Sequence, residues 1–390
     1  MGAAPSSPLA GLKVIELARI LAGPWIGQTL ADLGADVIKV ESPEGDDTRG
    51  WGPPFIEIDG EKSAAYFHAC NRGKRSVIAD FGKPEDRDFV LALLKDADVV
   101  IENFKVGGLK KFGLDYKSLS QLNPRLIYCS VTGFGQTGPY ASRAGYDFMI
   151  QGMSGFMDLT GEPDGPPEKI GVALADIITG LYGTIAIQAA LAHRQVTGRG
   201  QHVDMALFDT MSGVLANQAM NFLASGVAPR RLGNAHPNIV PYQTFAVSDG
   251  HIIIACGNDR QFAAICDILQ LEGVAADQRY ATNRARVDNR RAVAELIEAK
   301  TRTFSRDALL ARLEERAVPA GPINTVADVF ADPQFQHRGM RIDPAGIPGL
   351  RSPLVFSEAV LDTSRRAPKH GEHDAAVRAQ LSRDADGTAA

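Results

Sequence analysis

Asp176 is the residue whose surroundings most suggest chemistry. It lies in Gly171-Val-Ala-Leu-Ala-Asp-Ile-Ile-Thr-Gly180, apolar and extended on its N-terminal side. After it, from Ile177 to His193, Gly180, Gly183, Ala186 and Ala190 recur at helical spacing. The pattern predicts a helix that begins at Asp176, with the aspartate as N-cap accepting the first free backbone N–H groups. The positive end of that helix would keep the carboxylate ionised, and the small residues would let another backbone come close. An ordinary helix cap is the plain alternative. Two other stretches gather charge: Asn71-Arg-Gly-Lys-Arg75 brings three cations to a turn, and Asn103-Phe-Lys-Val-Gly-Gly-Leu-Lys-Lys111 follows a strand-like run.

The elements that must position these groups alternate between strand and helix. Leu12–Leu17 reads as a strand, and a helix opens at Ala22 with Pro24 in its first turn, where a missing N–H costs nothing. It stops at Leu33-Gly34, before a second strand, Ala35–Glu41. This is a βαβ unit with Glu41 where a ribose-binding acid would sit, but Gly23 and Gly27 do not make GxGxxG, which argues against a nicotinamide cofactor. Strands at Ser76–Asp80, Ala97–Glu102 and Leu126–Val131 and a helix at Lys83–Lys95 extend the pattern, giving an α/β fold. Val203–Ala224 reads as a further helix. From Tyr242 the rhythm changes to a hairpin around Asp249-Gly250, then helices at Arg260–Leu269, Asn289–Thr303 and Arg306–Arg316, with Val318–Ile323 as a turn or linker. The expected partition is a large domain over 1–225, a small α+β domain over 226–325, and a return to the large domain over 326–390.

Length and composition bound the rest. At 390 residues two domains are expected. A net charge of −5 with interspersed signs argues against nucleic acid or an anionic membrane as partner, though it leaves room for a local basic pocket. Cys70, Cys129, Cys256 and Cys266 match no zinc or disulfide spacing, so no metal is expected and reduced, buried thiols are. No signal sequence is visible, no apolar run approaches membrane-spanning length, and Gly2 with Ser6-Ser7 only outlines a myristoylation signal. A cytoplasmic address follows as the expectation.

Several segments, in order, resemble the class III CoA-transferases, the formyl-CoA transferase family: Pro8–Leu17, Leu21-Ala-Gly-Pro24, Leu33–Glu41, Asn71–Ser76, Glu102-Asn-Phe104, Gly145-Tyr-Asp147, Gly171–Asp176 and Thr197–Gln201. Gly233–Tyr242 and Cys256–Asp259 are most similar to members that move CoA between dicarboxylic acids, such as succinyl-CoA:glutarate transferases. The resemblance implies a Rossmann-like large domain built from both chain ends, a small α+β domain, and two subunits interlocked like chain links. It implies no tightly bound cofactor, with acyl-CoA and a carboxylic acid as substrates. Asp176 falls at the family's nucleophile, beside Tyr146 and Asp147. Covalent attack by a carboxylate would split the exchange through an aspartyl anhydride and an aspartyl-CoA thioester, with the helix's open N–H groups holding the oxyanion.

For CoA, the resemblance puts Lys39, Lys74, Arg75 and Lys111 near the phosphates, and Leu21, Ala22, Asn103 and Phe104 along the nucleotide and pantetheine path. Lys111 stands where formate enzymes carry Arg, and Ser42 replaces an Arg, so the adenine end is held differently. The formate enzymes' glycine-rich lid is missing, Gly233–Tyr242 taking its place. His236, Arg19 and Arg49 are candidates for the acceptor's distal carboxylate. Three alternatives stay open: an oxalate- or formate-type transferase, an α-methylacyl-CoA racemase, and a non-catalytic CoA-binding protein. The racemase ranks below the transferase because Tyr146 stands where those enzymes carry His.

Overall fold

A computed structural model describes residues 6–385 of the chain, so Gly2 lies outside the described residues. Two compact units emerge. The larger comprises the chain up to Phe156, Ile170–Ala219 and the chain from Pro333 onward; the smaller comprises Met157–Lys169 and Met220–Asp332. The assignment of 157–169 to the smaller unit differs from the sequence partition.

The larger unit is built on six short strands: β1 (Lys13–Glu16), β2 (Asp36–Glu41), β3 (Arg75–Ile78), β4 (Val99–Glu102), β5 (Ile127–Thr132) and β6 (His202–Ala206). All run parallel, in the order β3-β2-β1-β4-β5-β6. Residues of β1, β2, β4 and β5 are buried consecutively rather than alternately, as a sheet covered on both faces requires. Strand order reverses between β1 and β4, and in open α/β sheets the crevice at such a point, outside the carboxyl ends, is where ligands bind.

The sixth strand corrects the sequence reading, which has Val203–Ala224 as one helix. His202–Ala206 is extended, and helices Leu207–Gly213 and Ala216–Ser225 follow it. The alternation explains the difference: Val203 and Met205 pack on the core, while His202 and Asp204 turn the other way to bond Ser130 and the Gln136 amide.

The helices of this unit include α1 (Ala22–Asp32), α2 (Pro84–Lys95), α3 (Asp147–Met153) and α4 (Leu174–Thr197). At 24 residues α4 is long and apolar enough to cross a membrane by length and composition, contrary to the expectation that no such run exists. It is nonetheless half enclosed by protein, with Thr179, Gly180, Gly183, Ile187 and Ala190 buried and Arg194 paired with Asp98 at 2.8 Å. Its small residues do permit close approach. A Cβ at Gly180 would lie 3.0 Å from both the Ala22 carbonyl oxygen and Trp25 Cβ. Gly27 in α1 has a different reason: a Cβ there would stand 1.7 Å from the Glu16 carboxylate. The glycines of α1 thus serve internal packing, which is why they do not follow a dinucleotide pattern.

The smaller unit has three antiparallel strands, β7 (Tyr242–Val247), β8 (Gly250–Ala255) and β9 (Ala320–Pro322), in the order β9-β8-β7. Helices α5 (Asp259–Ile268), α6 (Arg290–Thr301) and α7 (Arg306–Glu315) share its core, through Phe245, Ile252, Ile254, Phe262, Ile297 and Leu309. The hairpin turns at Asp249-Gly250. Val318–Ile323, expected as a linker, carries the third strand, because Ala320–Pro322 pairs with Ile252–Ile254.

Candidate active site

A cleft of about 440 Å³ opens at the carboxyl ends of β1, β4 and β5. Leu21 and Ala22 at the start of α1, Asn103 and Phe104 after β4, Tyr146 before α3, and Asp176 in α4 all line it. The fold therefore brings together residues spread over more than 150 positions of sequence. Its entrance is held by a reciprocal clamp. Asn103 Oδ1 accepts from the Arg19 amide at 3.0 Å, and Asn103 Nδ2 donates to the Arg19 carbonyl at 2.7 Å. The next residue, Ile20, has φ of +72°, a left-handed conformation that is strained for a β-branched side chain. Its amide donates to the buried Asp46 carboxylate, 3.3 Å from each oxygen. Such strain persists only where surrounding bonds over-determine it, and it clusters at ligand-binding edges.

Asp176 itself corrects the sequence reading twice. Helix α4 starts at Leu174 with Ala173 as N-cap, so Asp176 stands in the first turn and caps nothing. The cap comes from 28 residues upstream: Asp147 Oδ1 accepts from the Ala175 amide at 2.7 Å and from the Asp176 amide at 3.4 Å. Its other oxygen accepts from Gln151 Nε2 at 2.8 Å. The first-turn amides expected to serve an oxyanion are thus already bonded. The Asp176 carboxyl is also not held ionised by the helix. Burial, with the neighbouring Asp147 charge, pushes it up to about 7. Tyr146, in contrast, is 67% exposed on the cleft wall.

The expected phosphate partners divide sharply. Lys39 is 1% exposed, and its ammonium donates to Ala18 O (2.8 Å), Glu16 Oε1 (3.1 Å) and Asp46 Oδ2 (2.9 Å). Burial alone would push its pKa down, but the surrounding carboxylates outweigh that and push it up. Lys74, equally buried, donates to Glu16 Oε1 (2.9 Å), Asn71 Oδ1 (2.8 Å) and Pro24 O (2.9 Å). Three donors each, all engaged, leave neither lysine a proton for phosphate. Arg75 opens β3 at the amino edge of the sheet and binds Asp36, away from the crevice. Of the four, only Lys111 is available: exposed, with its ammonium 4.6 Å from the Phe112 ring centre.

That ring belongs to a second cavity of about 350 Å³ next to the first, sharing Arg19 and Phe104 with it. Its walls include Glu41, Ser42, Asp80 and the aromatic group Phe81, Phe104 and Phe112, with centroids 5.8–6.1 Å apart along the group.

Of the acceptor candidates, Arg49 is taken: its guanidinium forks onto Glu41 at 2.7 and 2.8 Å and lies 3.7 Å over the Phe67 ring. Arg19 lines the cleft, exposed, against Asp47 at 3.0 Å. His236 belongs to the smaller unit, where its ring tilts against Tyr242 (centroids 5.2 Å apart) and Nδ1 accepts from the Asn238 amide. Burial and Arg290 push its pKa down, favouring the neutral ring.

Three residues that the sequence reading did not select belong here. Tyr66 packs edge-on to Trp51 at 5.3 Å, and its hydroxyl is pushed up to about 12 by burial and then by the nearby charge of Asp176. Arg143 and Lys105 add cations to the cleft wall, Arg143 lying 4.5 Å from the Tyr140 ring centre. Lys105 and Arg143 adjoin the motifs Glu102-Asn-Phe104 and Gly145-Tyr-Asp147, the signal that would have found them. Nothing local flags Tyr66. Among the described residues no cluster of three or more metal-ligating side chains occurs.

Comparison with known proteins gives this geometry a context. Residues 9–374 match the sequence profile of CoA-transferase family III. The chain is 59% identical over 382 residues to the succinate–glutarate CoA-transferase of Agrobacterium fabrum, covering 96% of each chain. It is 39% identical over 383 residues to the acetyl-CoA:oxalate CoA-transferase of Acetobacter aceti, covering 97% of each. The crystal structure of a CAIB/BAIF family protein from Brucella suis superposes with a TM-score of 0.89 at 69% identity, covering 96% of this chain and 100% of that one. With a nearly full-length profile match and the same fold, the chain belongs to CoA-transferase family III, the enzymes that move CoA between an acyl-CoA and a carboxylic acid.

Proposed function

We propose that the enzyme transfers CoA from succinyl-CoA to a dicarboxylic acid of the glutarate type, with Asp176 as nucleophile. One observation carries the reading: a carboxyl with no ion pair to a cation among the described residues stands in a cleft beside a second acid, Asp147. Asp176 Oδ attacks the thioester carbonyl, the C–S bond breaks, and a mixed anhydride and CoA thiolate form. The thiolate sulfur then attacks the aspartyl carbonyl, expelling succinate and leaving the aspartyl-CoA thioester. The acceptor carboxylate attacks that carbonyl in turn, and the returning thiolate collapses the second anhydride to the new acyl-CoA and free Asp176. No general base is needed once Asp176 is ionised.

Since Asp147 occupies the opening amides of α4, we assign the oxyanion to the start of α1, where Ala22 lines the cleft. Asn103 and Phe104 border the pantetheine path, the aromatic cavity takes the adenine, and Lys111 with Arg143 and Lys105 supplies the phosphate cations. Arg19 is the acceptor-carboxylate candidate within the larger unit. A racemase is disfavoured because Tyr146 stands where it needs His, and among the described residues lining the cleft none is a histidine.

The strand order supports a Rossmann-like larger unit. The exposed apolar faces of α3 (Phe148, Met149, Met153) and α4 (Leu181, Tyr182, Ile185) support an interlocked homodimer. Four free, buried cysteines suit a cytoplasmic address.

Incubating the protein with succinyl-CoA and hydroxylamine tests the chemistry: a hydroxamate at Asp176, absent in Asp176→Ala, is expected. Labelling at any other residue would sink it. Initial rates with glutarate, oxalate, mesaconate, itaconate and malate identify the acceptor.

A further inference from the structure

Glu102 is the one member of the Glu102-Asn-Phe104 motif that does not line the cleft. It ends β4, is 5% exposed, and turns its carboxylate back to accept from the Phe104 amide at 2.8 Å. The same carboxylate accepts from the hydroxyl of Ser130 on β5, and Ser130 Oγ stands 2.9 Å from His202 Nε2 on β6. His202 is itself fixed, stacked on Tyr116 with centroids 5.0 Å apart and edge-on to Tyr128 at 5.4 Å. A line of bonds therefore crosses three adjacent strands, from His202 at the start of β6 through Ser130 within β5 to Glu102 at the end of β4, and terminates on one backbone N–H.

What makes that N–H important is the segment it anchors. Behind the motif lies a further cavity of about 270 Å³, walled by Glu102, Ser130, His202, Tyr116 and the Lys105–Lys110 turn. Lys105 and Val106 line both this cavity and the Asp176 cleft, and Phe104 lines the cleft and the aromatic cavity. The segment from Asn103 to Val106 is thus a thin partition with open space on either side. Phe104 packs on the core beside Phe81, but Lys105 and Val106 have open space on both sides, so the segment's geometry also rests on hydrogen bonds at its root. Three stand there: the two of the Asn103 clamp on Arg19 and the one from the Phe104 amide to Glu102.

We propose that Glu102 is a positioning residue for acyl-CoA, its carboxylate set by Ser130 and His202 so that the Phe104 amide, and with it the Asn103–Phe104 wall, is held where the CoA moiety binds. This rests on the reading that Asn103 and Phe104 meet CoA. The bond needs an acceptor oxygen rather than a charge, which matters because burial pushes the Glu102 carboxyl up to about 6.

The test compares Glu102→Ala, Glu102→Gln, Ser130→Ala and Asn103→Ala by steady-state kinetics, varying succinyl-CoA and acceptor separately. Glu102→Ala is expected to raise KM for succinyl-CoA on the order of tenfold while kcat and the acceptor KM stay within about twofold. Glu102→Gln, which keeps the oxygen, is expected to restore the donor KM to within about threefold, and Ser130→Ala to raise it about threefold. If Glu102→Ala does not fold, the Gln and Ser130 variants decide between them: a tenfold donor KM in the Gln variant, or no change in Ser130→Ala, overturns the proposal. Equal losses in donor KM, acceptor KM and kcat for Glu102→Ala also overturn it, as a general structural defect. Should Asn103→Ala leave the donor KM unchanged, the reading that this segment meets CoA fails. Should Asn103→Ala raise it while Glu102→Ala does not, only the role of Glu102 fails.

Discussion

Two groups of charged side chains in the larger unit are treated in opposite ways. Under the carboxyl ends of β1 and β2, Glu16, Lys39, Lys74 and Asp46 are sealed from water, and each ammonium is surrounded by acceptors. At the mouth of α4, Asp147 and Asp176 stand as two acids side by side, with no ion pair to a cation among the described residues. The first group contributes shape: Glu16 gathers two lysines from β2 and the turn before β3, and Gly27 makes room for it. The second retains an unneutralised acid at the edge of a cleft. Complete pairing ties a charge to the scaffold, and incomplete pairing leaves one available for reaction.

The sharpest break between the two is functional. Asp176→Ala is expected to lower transfer at least about a thousandfold while the fold persists, read by succinyl-CoA turnover alongside circular dichroism. Near-normal turnover would end the assignment. Lys74→Met should act in the reverse sense. Leaving the buried group of Glu16, Lys39 and Asp46 one positive charge short costs about 3–5 kcal/mol, a fall in Tm of roughly 10 °C, with little change in donor KM where protein remains folded.

The pH dependence sharpens the contrast further. Because the Asp176 carboxyl is raised to about 7, its reactive anion is scarce in acid, so kcat/KM should fall about tenfold per pH unit below that point. Stability runs the other way. The unfolded aspartate ionises near 3.8, so between there and about 7 the unfolded state sheds its proton first, and stability declines as pH rises. Asp176→Asn should therefore be inactive yet more stable above pH 7, by on the order of 2 kcal/mol, measurable by urea denaturation at pH 5 and pH 8. An unchanged difference between the two pH values would contradict the burial argument. The smallest effect belongs to the exposed cation. Lys111→Ala should raise the succinyl-CoA KM by about fivefold, less at high salt, since one exposed charge contributes about 1 kcal/mol.

How legible each part was depends on the range of the interactions involved. Strands β1, β2, β4 and β5 were readable because a doubly covered strand writes itself as a continuous Val/Ile run. β6 was not, since its alternation lasts five residues before the apolar run of the next helix. Asp176 could be singled out as a candidate, but the helix-capping role of Asp147 was hidden because the cap arrives from 28 positions away. The lysines failed for the same reason: Lys39 and Lys74 meet Glu16 across 23 and 58 residues, and a basic motif does not disclose whether its charges are already matched. Arg49 likewise reads as a free cation until Glu41 is seen gripping it. Leu21, Ala22, Asn103 and Phe104, picked out by the resemblance, line the cleft because they stand where chain leaves a strand end.

The pairing of Asp147 with Asp176 has one further result, concerning which chemical form of the enzyme is most comfortable. A carboxylate that resists ionisation does so because its anion is crowded by low-dielectric surroundings and a like charge. Turning that anion into an anhydride or a thioester erases its charge and with it the crowding. In the proposed cycle the vacant enzyme would then be the tense member and each covalent state a relaxed one, so the protein should melt higher with CoA attached to Asp176 than without.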